Sequence, residues 1–439
     1  MKDAIVCKFG GSSLADSNQF RKVKKIVEMD KRRKFVVPSA PGKRNPDDTK
    51  ITDLLYLCST TAEQKMSFDS ILNIIKDRYV EIARDLEIDV DLDYEFNLIR
   101  ENLINGASAA YAASRGEYLS GKLLSKYLGY EFVDPVDLIV ISRTTGSTRW
   151  EDTKDKIARR LKSVEKAVIP GFYGTNIKGE ITTYSRGGSD VTGAVIARGI
   201  GAVLYENWTD VDGFKMVDPR ILKDSHKIEY ITYNELRELA YMGASVLHEE
   251  TMIPCMKADI PINIRNTNAP EEKGTMIVDK SKIPDSNILI TGISGKKGFV
   301  AISVEKILMN QELGIISTIL SIFERYGIAI DHLPTGIDNL TIVVSKEQID
   351  TKLQRVVRDL QIQLNADQIT VHTDMAVIAV VGHNMAYKPG ISARIFKALG
   401  ENGINVKLIS QGILEISILI GMAEEDLEKG VEAIYKEFK

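Results

Sequence analysis

Cysteine is scarce in this chain. Three cysteines, Cys7, Cys58 and Cys255, are spread over 439 residues, and they show neither metal-ligand spacing nor the paired framework of a disulfide-rich protein. A reducing, cytoplasmic environment is the simplest interpretation of such sparse cysteines. The five histidines also lack ligand spacing, so we assign no metal-ligating residue from the sequence.

Long apolar runs and an excess of charge are also missing. Runs such as residues 375–381 fall far short of the roughly 20 residues that span a bilayer. The four apolar residues between Asp3 and Lys8 are too few for the core of a signal peptide. The 57 basic residues stand against 61 acidic ones, a formal net charge of −4. We therefore expect neither a membrane partner nor a nucleic-acid partner.

The composition itself is that of a soluble globular protein, with 44% apolar and 27% charged residues. A chain of this length predicts two or three domains. Short apolar strands alternate with helical patterns in the first two thirds, which favours a parallel α/β sheet. Strands are predicted at 4–9, 35–37, 132–133, 167–169, 181–183, 202–205 and 260–265, and helices at about 18–31 and through most of 53–125.

The last third of the chain repeats itself. Residues 301–344 align with 377–420, and near the helix the offset places Gly314 on Gly390 and Gly327 on Gly403. Each copy follows the order strand, helix, strand, strand, and the glycine after each helix is expected to form a left-handed C-cap. The pattern predicts two small modules joined by residues 346–374, although a coincidental likeness of two strand–helix units stays open.

Two glycine turns carry the strongest chemical signal. Lys8 lies near the end of the first strand and is followed by Phe9, Gly10, Gly11, Ser12 and Ser13. Glycines let a backbone approach an anion closely, and the N–H groups at the start of the next helix supply donors. The spacing of a P-loop is absent, and an ordinary tight turn is the alternative.

The second turn, residues 184–190, reads Tyr-Ser-Arg-Gly-Gly-Ser-Asp and follows the strand 181–183. Ligands bind beyond the carboxyl ends of strands in an open parallel sheet. We therefore expect Lys8 and Arg186 to face one crevice. Residues 41–50 are polar and rich in helix breakers, which indicates a mobile loop and a candidate lid over that crevice.

Together with residues 208–213 (Trp-Thr-Asp-Val-Asp-Gly), 218–220 (Asp-Pro-Arg), 52–55 (Thr-Asp-Leu-Leu) and 115–117 (Arg-Gly-Glu), these turns resemble the aspartate kinases of the amino-acid kinase superfamily. The resemblance spans nearly the whole chain. It implies a three-layer αβα kinase domain with a mainly parallel sheet at 1–285. Two ferredoxin-like βαββαβ modules of the ACT type would follow, at 286–370 and 371–439.

The resemblance also assigns roles to residues. Lys8 and Asp190 are expected to be catalytic, with Lys8 holding the transferring phosphoryl group. A planar guanidinium suits the α-carboxylate of aspartate. The expected aspartate-binding residues are Ser39, Thr52, Glu117, Arg186 and Asp190, with Arg186 on the α-carboxylate and Glu117 and Asp190 on the ammonium group. The expected nucleotide-binding residues are Lys8, Gly10, Gly11, Ser12, Thr209, Asp210, Lys215 and Arg220.

The implied reaction is ATP-dependent phosphorylation of the side-chain carboxylate of L-aspartate to 4-phospho-L-aspartate, the first step of lysine, threonine and methionine biosynthesis. ATP is the co-substrate and Mg²⁺ the implied ion, with no protein ligand named. A carboxylate is already ionised at pH 7, so charge neutralisation rather than a general base is what the reaction requires. One departure stands out: Ser245 replaces a lysine of the family's nucleotide site, a loss that Lys215 is hypothesised to offset in part.

Feedback control by an end product follows from the paired modules, and the resemblance implies lysine, alone or together with threonine, as the effector. The matching positions are Met309, Gly314, Ile316 and Asp331, with Asp331 on an amino group, in a homodimer or homotetramer formed through the modules. Ordinary structural roles stay open for four residues: a solvated helix face for Glu117, a helix-dipole partner for Asp190, a surface turn for Arg220 and an exposed strand end for Asp331. A kinase for glutamate or acetylglutamate, and a catalytically inactive amino-acid sensor, are the alternative functions.

Overall fold

A computed structural model of the chain describes residues 3–185, 187–243, 249–284, 288–385, 388–412 and 416–439. The chain folds into two compact units. The first unit comprises Met1–Phe214, Glu229–Tyr233 and Val246–Ile283, and the second comprises Lys215–Ile228, Asn234–Ser245 and Pro284–Lys439. The sequence-based boundary at residue 285 lies near the start of the last of these segments, but two earlier segments also join the second unit.

The elements of the first unit alternate between strand and helix. Its strands are β1 (Ile5–Phe9), β2 (Arg33–Pro38), β3 (Glu131–Phe132), β4 (Ala167–Val168), β5 (Tyr173–Thr175), β6 (Ile181–Thr183), β7 (Leu204–Thr209), β8 (Tyr230–Thr232), β9 (Ile262–Asn266) and β10 (Thr275–Val278). Its helices are α1 (Ser17–Met29), α2 (Ile51–Glu63), α3 (Asp69–Asp85), α4 (Leu92–Ile104), α5 (Ala109–Leu128), α6 (Trp150–Arg160), α7 (Gly188–Ile200), the first residue of α8 (Tyr233–Tyr241) and α9 (Glu249–Lys257).

One sheet organises this unit, in the order β3-β4-β2-β1-β7-β9-β10-β8. Every neighbouring pair is parallel except β9 with β10, which confirms the predicted mainly parallel sheet. The chain leaves β1 toward β2 on one side and returns to pair β7 on the other. The carboxyl ends of β1 and β7 therefore flank a topological switch point, the place where open α/β sheets bind ligands.

The predicted helical region folds as expected. Residues 53–125 lie mostly in α2, α3, α4 and α5. The apolar face predicted for α1, namely Phe20, Val23, Ile26 and Val27, is buried in the core of the first unit. An amphipathic stripe of this kind places the helix against the sheet because burying it removes apolar surface from water.

Strand β6 forms at the predicted residues but belongs to a different sheet from the one we expected. It pairs antiparallel with β5 in a two-stranded hairpin, Tyr173 opposite Thr183 and Thr175 opposite Ile181, and is not part of the large sheet. The expectation that both glycine turns follow strands of the parallel sheet is therefore wrong for the second turn. Three half-buried residues do not indicate which strand they pair with. The sequence therefore could not distinguish a hairpin from a strand of the large sheet.

The second unit contains one antiparallel sheet in the order β12-β11-β13-β15-β14. No helix in the described ranges of the chain is long and apolar enough to cross a membrane. The elements are β11 (Gly292–Glu305), α10 (Ile315–Arg325), β12 (Asn339–Ser345), α11 (Lys346–Ile349), α12 (Leu353–Leu364), β13 (Gln368–Val381), α13 (Ile391–Glu401), β14 (Leu408–Ser410), β15 (Ser417–Ala423) and α14 (Leu427–Phe438).

The internal repeat is visible in the structure. Helices α10 and α13 begin and end at matching positions of the two copies. Gly314 and Gly390 precede them with φ of 89° and 90°, and Gly327 and Gly403 follow them with φ of 60° and 68°. The predicted left-handed caps are confirmed, and the matched positive φ angles explain why glycine stands at all four positions.

Two long strands belong to both modules. Residues 292–296 of β11 pair with 377–381 of β13, whereas residues 299–305 pair with 368–375. Ile290 and Ile293 lie in the core of the second module with Ile378 and Val431, and Ile302 lies in the core of the first. The first module is thus inserted between β-strand segments of the second, rather than preceding it as a separate block.

Candidate active site

The carboxyl end of β1 holds a buried ion pair. Lys8 is 8% exposed, and its Nζ lies 2.5 Å from Oδ1 of Asp190. Asp190 stands in the first turn of α7, two residues after Gly188. The two glycine turns therefore converge on one point, even though the second does not follow a strand of the large sheet.

Side chains at Gly11 and Gly42 would crowd the turn after β1, whereas one at Gly10 would make an ordinary contact. A Cβ at Gly10 would lie 3.4 Å from Lys8 Nζ, a Cβ at Gly11 would lie 3.0 Å from the Ala40 carbonyl oxygen, and a Cβ at Gly42 would lie 2.7 Å from the Gly11 carbonyl carbon. Among the described residues, no acceptor takes the backbone N–H of Gly11 or Ser12. Two amide donors thus remain available to an anion above this turn.

These donors do not come from the start of a long helix. Residues Gly11–Leu14 form a short 3-10 turn, and α1 begins later, at Ser17, where Asp16 accepts a hydrogen bond from the Gln19 backbone N–H. Helix α1 begins within one residue of its predicted start, so the expected donors at its N-terminus lie six residues beyond Gly11. The turn itself provides the exposed N–H groups.

The ends of β7 and β9 border the same turn. Thr209 ends β7, and its carbonyl oxygen accepts from the Thr267 backbone N–H at 2.9 Å. The Thr267 and Ser13 hydroxyls lie 2.7 Å apart. Thr209 and the exposed Asp210 are held together by a 3.2 Å hydrogen bond. Of the nucleotide residues expected in the first unit, Lys8, Gly10, Gly11, Ser12, Thr209 and Asp210 therefore lie at adjoining strand ends.

Asn207 is a site residue that sequence reasoning missed. Lys8 Nζ donates to its Oδ1 at 3.3 Å, and its Nδ2 donates to Asp190 Oδ1 at 2.9 Å. Side chains of a strand alternate between its two faces, so Tyr205, Asn207 and Thr209 share one face of β7. This alternation is the sequence feature that could have identified Asn207. A polar residue at a buried strand position normally requires partners, and here the partners are the catalytic candidates.

Glu117 is buried on α5, so the alternative of a solvated helix face is wrong. Burial raises the pKa of its carboxyl to about 8, against the opposing effect of the Ala40 backbone N–H. Its Oε2 has no hydrogen-bond partner among the described residues. A buried oxygen without a partner is costly, which makes a ligand with a donor group a natural complement.

Other predicted aspartate-binding residues lie around the end of β2. The Ser39 backbone N–H donates to the Phe9 carbonyl at 3.0 Å, and Thr52 is in the first turn of α2. Arg186 lies outside the described residues, and so does Ser245, the departure from the family pattern. The position of Arg186 relative to this pocket therefore stays a prediction.

The loop predicted to be mobile is anchored to α3. Arg78 is 5% exposed, and its guanidinium donates to the Gly42 carbonyl at 3.2 Å and to Asp48 Oδ2 at 2.6 Å. Burial opposes ionisation of Asp48, but the Arg44 N–H and side chain and the Arg78 charge lower its pKa to about 2. A lid movement of this loop would have to break these contacts.

Lys215 and Arg220 belong to the second unit. Lys215 Nζ donates to the Lys223 carbonyl at 2.8 Å. Arg220 is exposed and pairs with Asp218 at 2.6 Å, the geometry of the surface turn that was its alternative interpretation. The structure does not bring these two residues together with Lys8 within one unit, and their contact with nucleotide stays a prediction.

The expected effector residues lie in the first module. Gly314 precedes α10, Ile316 is exposed on that helix, and Met309 is buried. One oxygen of Asp331 accepts from the Tyr241 hydroxyl, and burial together with this carboxylate raises the pKa of Tyr241. The other oxygen, Oδ2, is buried without a hydrogen-bond partner in the described part of the chain. Asp331 is thus more enclosed than an exposed strand end.

Comparison with known proteins agrees with this geometry. The sequence model of the amino acid kinase family matches residues 3–266, and that of an ACT domain matches 378–438. Aspartokinase 3 of Bacillus subtilis is 38% identical over 447 residues, covering 99% of this chain and 98% of the relative. Lysine-sensitive aspartokinase 3 of Escherichia coli is 26% identical over 99% of both chains. The crystal structure of aspartate kinase from Clostridium acetobutylicum superposes with a TM-score of 0.92 at 46% identity, covering 100% of both chains.

Proposed function

We propose how the residues of this chain, which belongs to the amino acid kinase family and is an aspartokinase, carry out the phosphorylation of aspartate. Aspartokinases use ATP to phosphorylate aspartate in amino-acid biosynthesis. The product is 4-phospho-L-aspartate, formed when a side-chain carboxylate oxygen of aspartate bonds to the γ-phosphorus and the bond to the ADP oxygen breaks. The observation that carries the proposal is the Lys8–Asp190 pair beside the open N–H groups of Gly11 and Ser12.

Lys8 acts on the transferring phosphoryl group. The attacking carboxylate is already an anion, so the barrier is the repulsion between two negative groups, and phosphoryl transfer is catalysed mainly by positioning and charge stabilisation. The Lys8 ammonium and the N–H groups of Gly11 and Ser12 stabilise the charge that spreads over the phosphoryl oxygens. Asp190 orients Lys8, and its short ion pair keeps the ammonium group at the carboxyl end of β1.

The aspartate pocket uses Glu117 as its buried anion. The open Oε2 of Glu117 accepts from the substrate ammonium, whose charge favours the ionised carboxylate over the neutral acid. Asp190 is the second acceptor for the ammonium group. Arg186 binds the α-carboxylate in bidentate fashion, and Ser39 and Thr52 line the pocket near the reacting carboxylate.

ATP enters as its Mg²⁺ complex. Thr209, which ends β7, and the following Asp210 contact the nucleotide together with Lys215 and Arg220. The described residues contain no group of three histidine, cysteine, aspartate or glutamate side chains placed to hold a metal. We assign Mg²⁺ to the phosphate oxygens and to water because this ion usually keeps several waters and binds substrate phosphates.

Lysine is the effector we assign to the paired modules. A relative covering 99% of this chain bears the name lysine-sensitive aspartokinase, and Asp331 offers a buried oxygen without a protein donor in the described ranges. The effector ammonium group binds this oxygen at the interface between modules of a homodimer or homotetramer. By linkage, lysine inhibits only if it binds the less active conformation more tightly.

An aspartate hydroxamate assay tests the proposal. Hydroxylamine traps the acyl phosphate, so wild-type protein with Mg·ATP and aspartate should give the hydroxamate, while glutamate and N-acetylglutamate should give little. Parallel reactions with lysine, threonine and methionine identify the effector, and lysine should inhibit most. Equal turnover of N-acetylglutamate would exclude a pocket built around a free ammonium group. Absence of turnover with all three substrates would favour a catalytically inactive sensor.

A further inference from the structure

We infer that Asn207 is a positioning residue for phosphoryl transfer, holding Lys8 and Asp190 in a fixed relation through the two ends of its side-chain amide. The inference deepens the proposed function and rests on it. Asn207 lies beside Lys8 in the parallel register of β1 and β7. Its Oδ1 is 3.3 Å from Lys8 Nζ, and its Nδ2 is 2.9 Å from Asp190 Oδ1.

One orientation of the amide satisfies both partners. The carbonyl end accepts from the ammonium group of Lys8, and the NH₂ end donates to the carboxylate of Asp190. The reverse orientation would face the NH₂ group to the ammonium and the oxygen to the carboxylate, so both contacts would be repulsive. Asn207 is 4% exposed, and water has little access to replace either hydrogen bond.

An uncharged linker suits this place because it orients Lys8 without cancelling its charge. A second carboxylate at position 207 would compete with the phosphoryl group for the same ammonium. As the phosphoryl group draws the Lys8 ammonium toward it, the Asn207 N–H keeps a hydrogen bond on Asp190. Asp190 is also held by its backbone, since its carbonyl oxygen accepts from the Tyr205 hydroxyl at 3.0 Å.

The first experiment is Asn207→Leu, which keeps the approximate volume and removes both hydrogen bonds. We expect kcat for aspartate phosphorylation to fall about 10- to 100-fold, the range for losing hydrogen bonds to charged groups. KM for ATP should change by less than about threefold, since the amide orients catalytic groups rather than binding nucleotide. A kcat within about twofold of wild type would overturn the inference.

Asn263→Leu is the matched control. Asn263 is also buried, lies on the neighbouring strand β9 and pairs with Glu206, so it faces the side of the sheet opposite Asn207. The described contacts give it no link to Lys8 or Asp190. We expect its kcat to stay within about twofold of wild type. An equal loss of kcat in the two variants would mean that a buried leucine disturbs the sheet in general, and would overturn the inference.

Asn207→Asp supplies a readout that misfolding cannot produce. When the introduced carboxyl group is ionised, it has no hydrogen to donate to Asp190, and the two carboxylates repel each other. When it is protonated, its O–H and C=O reproduce the donor and acceptor of the amide. Lys8 and Asp190 are the charged groups in hydrogen-bond contact with position 207 in the described structure. The ratio of variant to wild-type kcat should therefore rise as pH falls from about 8 to about 5.5, because adjacent carboxyls share a proton.

The outcomes separate the inference from the function it rests on. If wild-type protein forms no aspartate hydroxamate, the proposed function fails and the variants are irrelevant to it. If wild type is active and the Asn207→Asp ratio is flat with pH, the positioning role is wrong while the aspartokinase reaction stands. Should Asn207→Leu fail to fold, as judged by thermal unfolding, the pH ratio of Asn207→Asp alone decides.

Discussion

The ammonium group of Lys8 lies 2.5 Å from Oδ1 of Asp190. Lys8 is the penultimate residue of the first strand, and Asp190 lies in the first turn of α7. A single ion pair therefore joins two glycine turns that are far apart in the sequence. We propose that this pair marks the place where the negative charge of ATP meets the protein.

Replacing Glu117 with glutamine should raise KM for aspartate and also stabilise the protein at high pH. The raised pKa of Glu117, about 8 against an ordinary 4.5, means that the folded state prefers the neutral acid. Its contribution to stability is fully present below about pH 4.5 and is lost as pH rises through 8, at about 1.4 kcal/mol per pKa unit. Denaturant unfolding of both proteins at pH 5 and pH 8 measures the difference.

We expect Glu117→Gln to exceed wild-type stability by a few kcal/mol at pH 8 and to differ little from it at pH 5. The reason is that glutamine resembles the protonated acid and is never charged. A variant that is less stable than wild type at pH 8 would contradict the buried, unpaired state of the Glu117 carboxylate.

Replacing Arg78 with lysine should raise KM for ATP about tenfold, with a smaller change in kcat. The guanidinium holds the loop at Gly42 and Asp48, and Gly42 packs directly on Gly11, which we propose to contact the phosphates of ATP. A lysine ammonium cannot span these acceptors. Steady-state kinetics with varied ATP measure the effect, and Arg84→Lys, on the exposed part of the same helix, is the control. Equal KM and kcat values for Arg78→Lys and Arg84→Lys would show that the loop does not contribute to ATP binding.

Replacing Asp331 with asparagine should weaken lysine inhibition and leave uninhibited turnover within about twofold of wild type. Asparagine keeps the shape but loses the charge that attracts the effector ammonium group. Dose–response curves for lysine give the shift in the half-inhibitory concentration. Asp350→Asn, an exposed residue at the end of α11, is the control for charge removal in the same module. Unchanged sensitivity to lysine in Asp331→Asn would place the effector elsewhere.

Local pattern predicted much of this fold. The sheet strands and the helices between them follow from apolar periodicity, and the repeat with its glycine caps follows from residues such as Gly327 and Gly403, whose positive φ angles require glycine. Partners were harder to predict. The three residues of β6 have the same appearance in a hairpin as in a sheet, because a short half-buried strand does not encode its neighbour.

The division of the chain into units also depends on distant contacts. Residues 215–228 follow directly from the first unit in sequence. Nevertheless, Met216 and Val217 lie in the core that includes Val431. His226 contacts the hydroxyl group of Tyr435. These partners are about half a chain away. Composition changes little across residue 214, so no local signal marked the change of unit.

The candidate site shows the same limit at the scale of side chains. Lys8 and Asp190 were recognisable because each stands beside a pair of glycines. Asn207 has no such marker, and its role depends on the register that places β7 next to β1. The unpaired oxygen of Glu117 likewise follows from burial on every side of α5, which helical periodicity alone does not reveal.

The kcat of Lys8→Ala, measured by aspartate hydroxamate formation at saturating Mg·ATP and aspartate, shows whether Lys8 acts on the transferring phosphoryl group. Lys34→Ala is the control, since Lys34 lies on the neighbouring strand β2 and pairs with the exposed Asp3. If Lys8 neutralises charge in the transition state, kcat falls by about 10²- to 10³-fold or more while the control stays near wild type. A kcat for Lys8→Ala within about threefold of wild type would contradict the account.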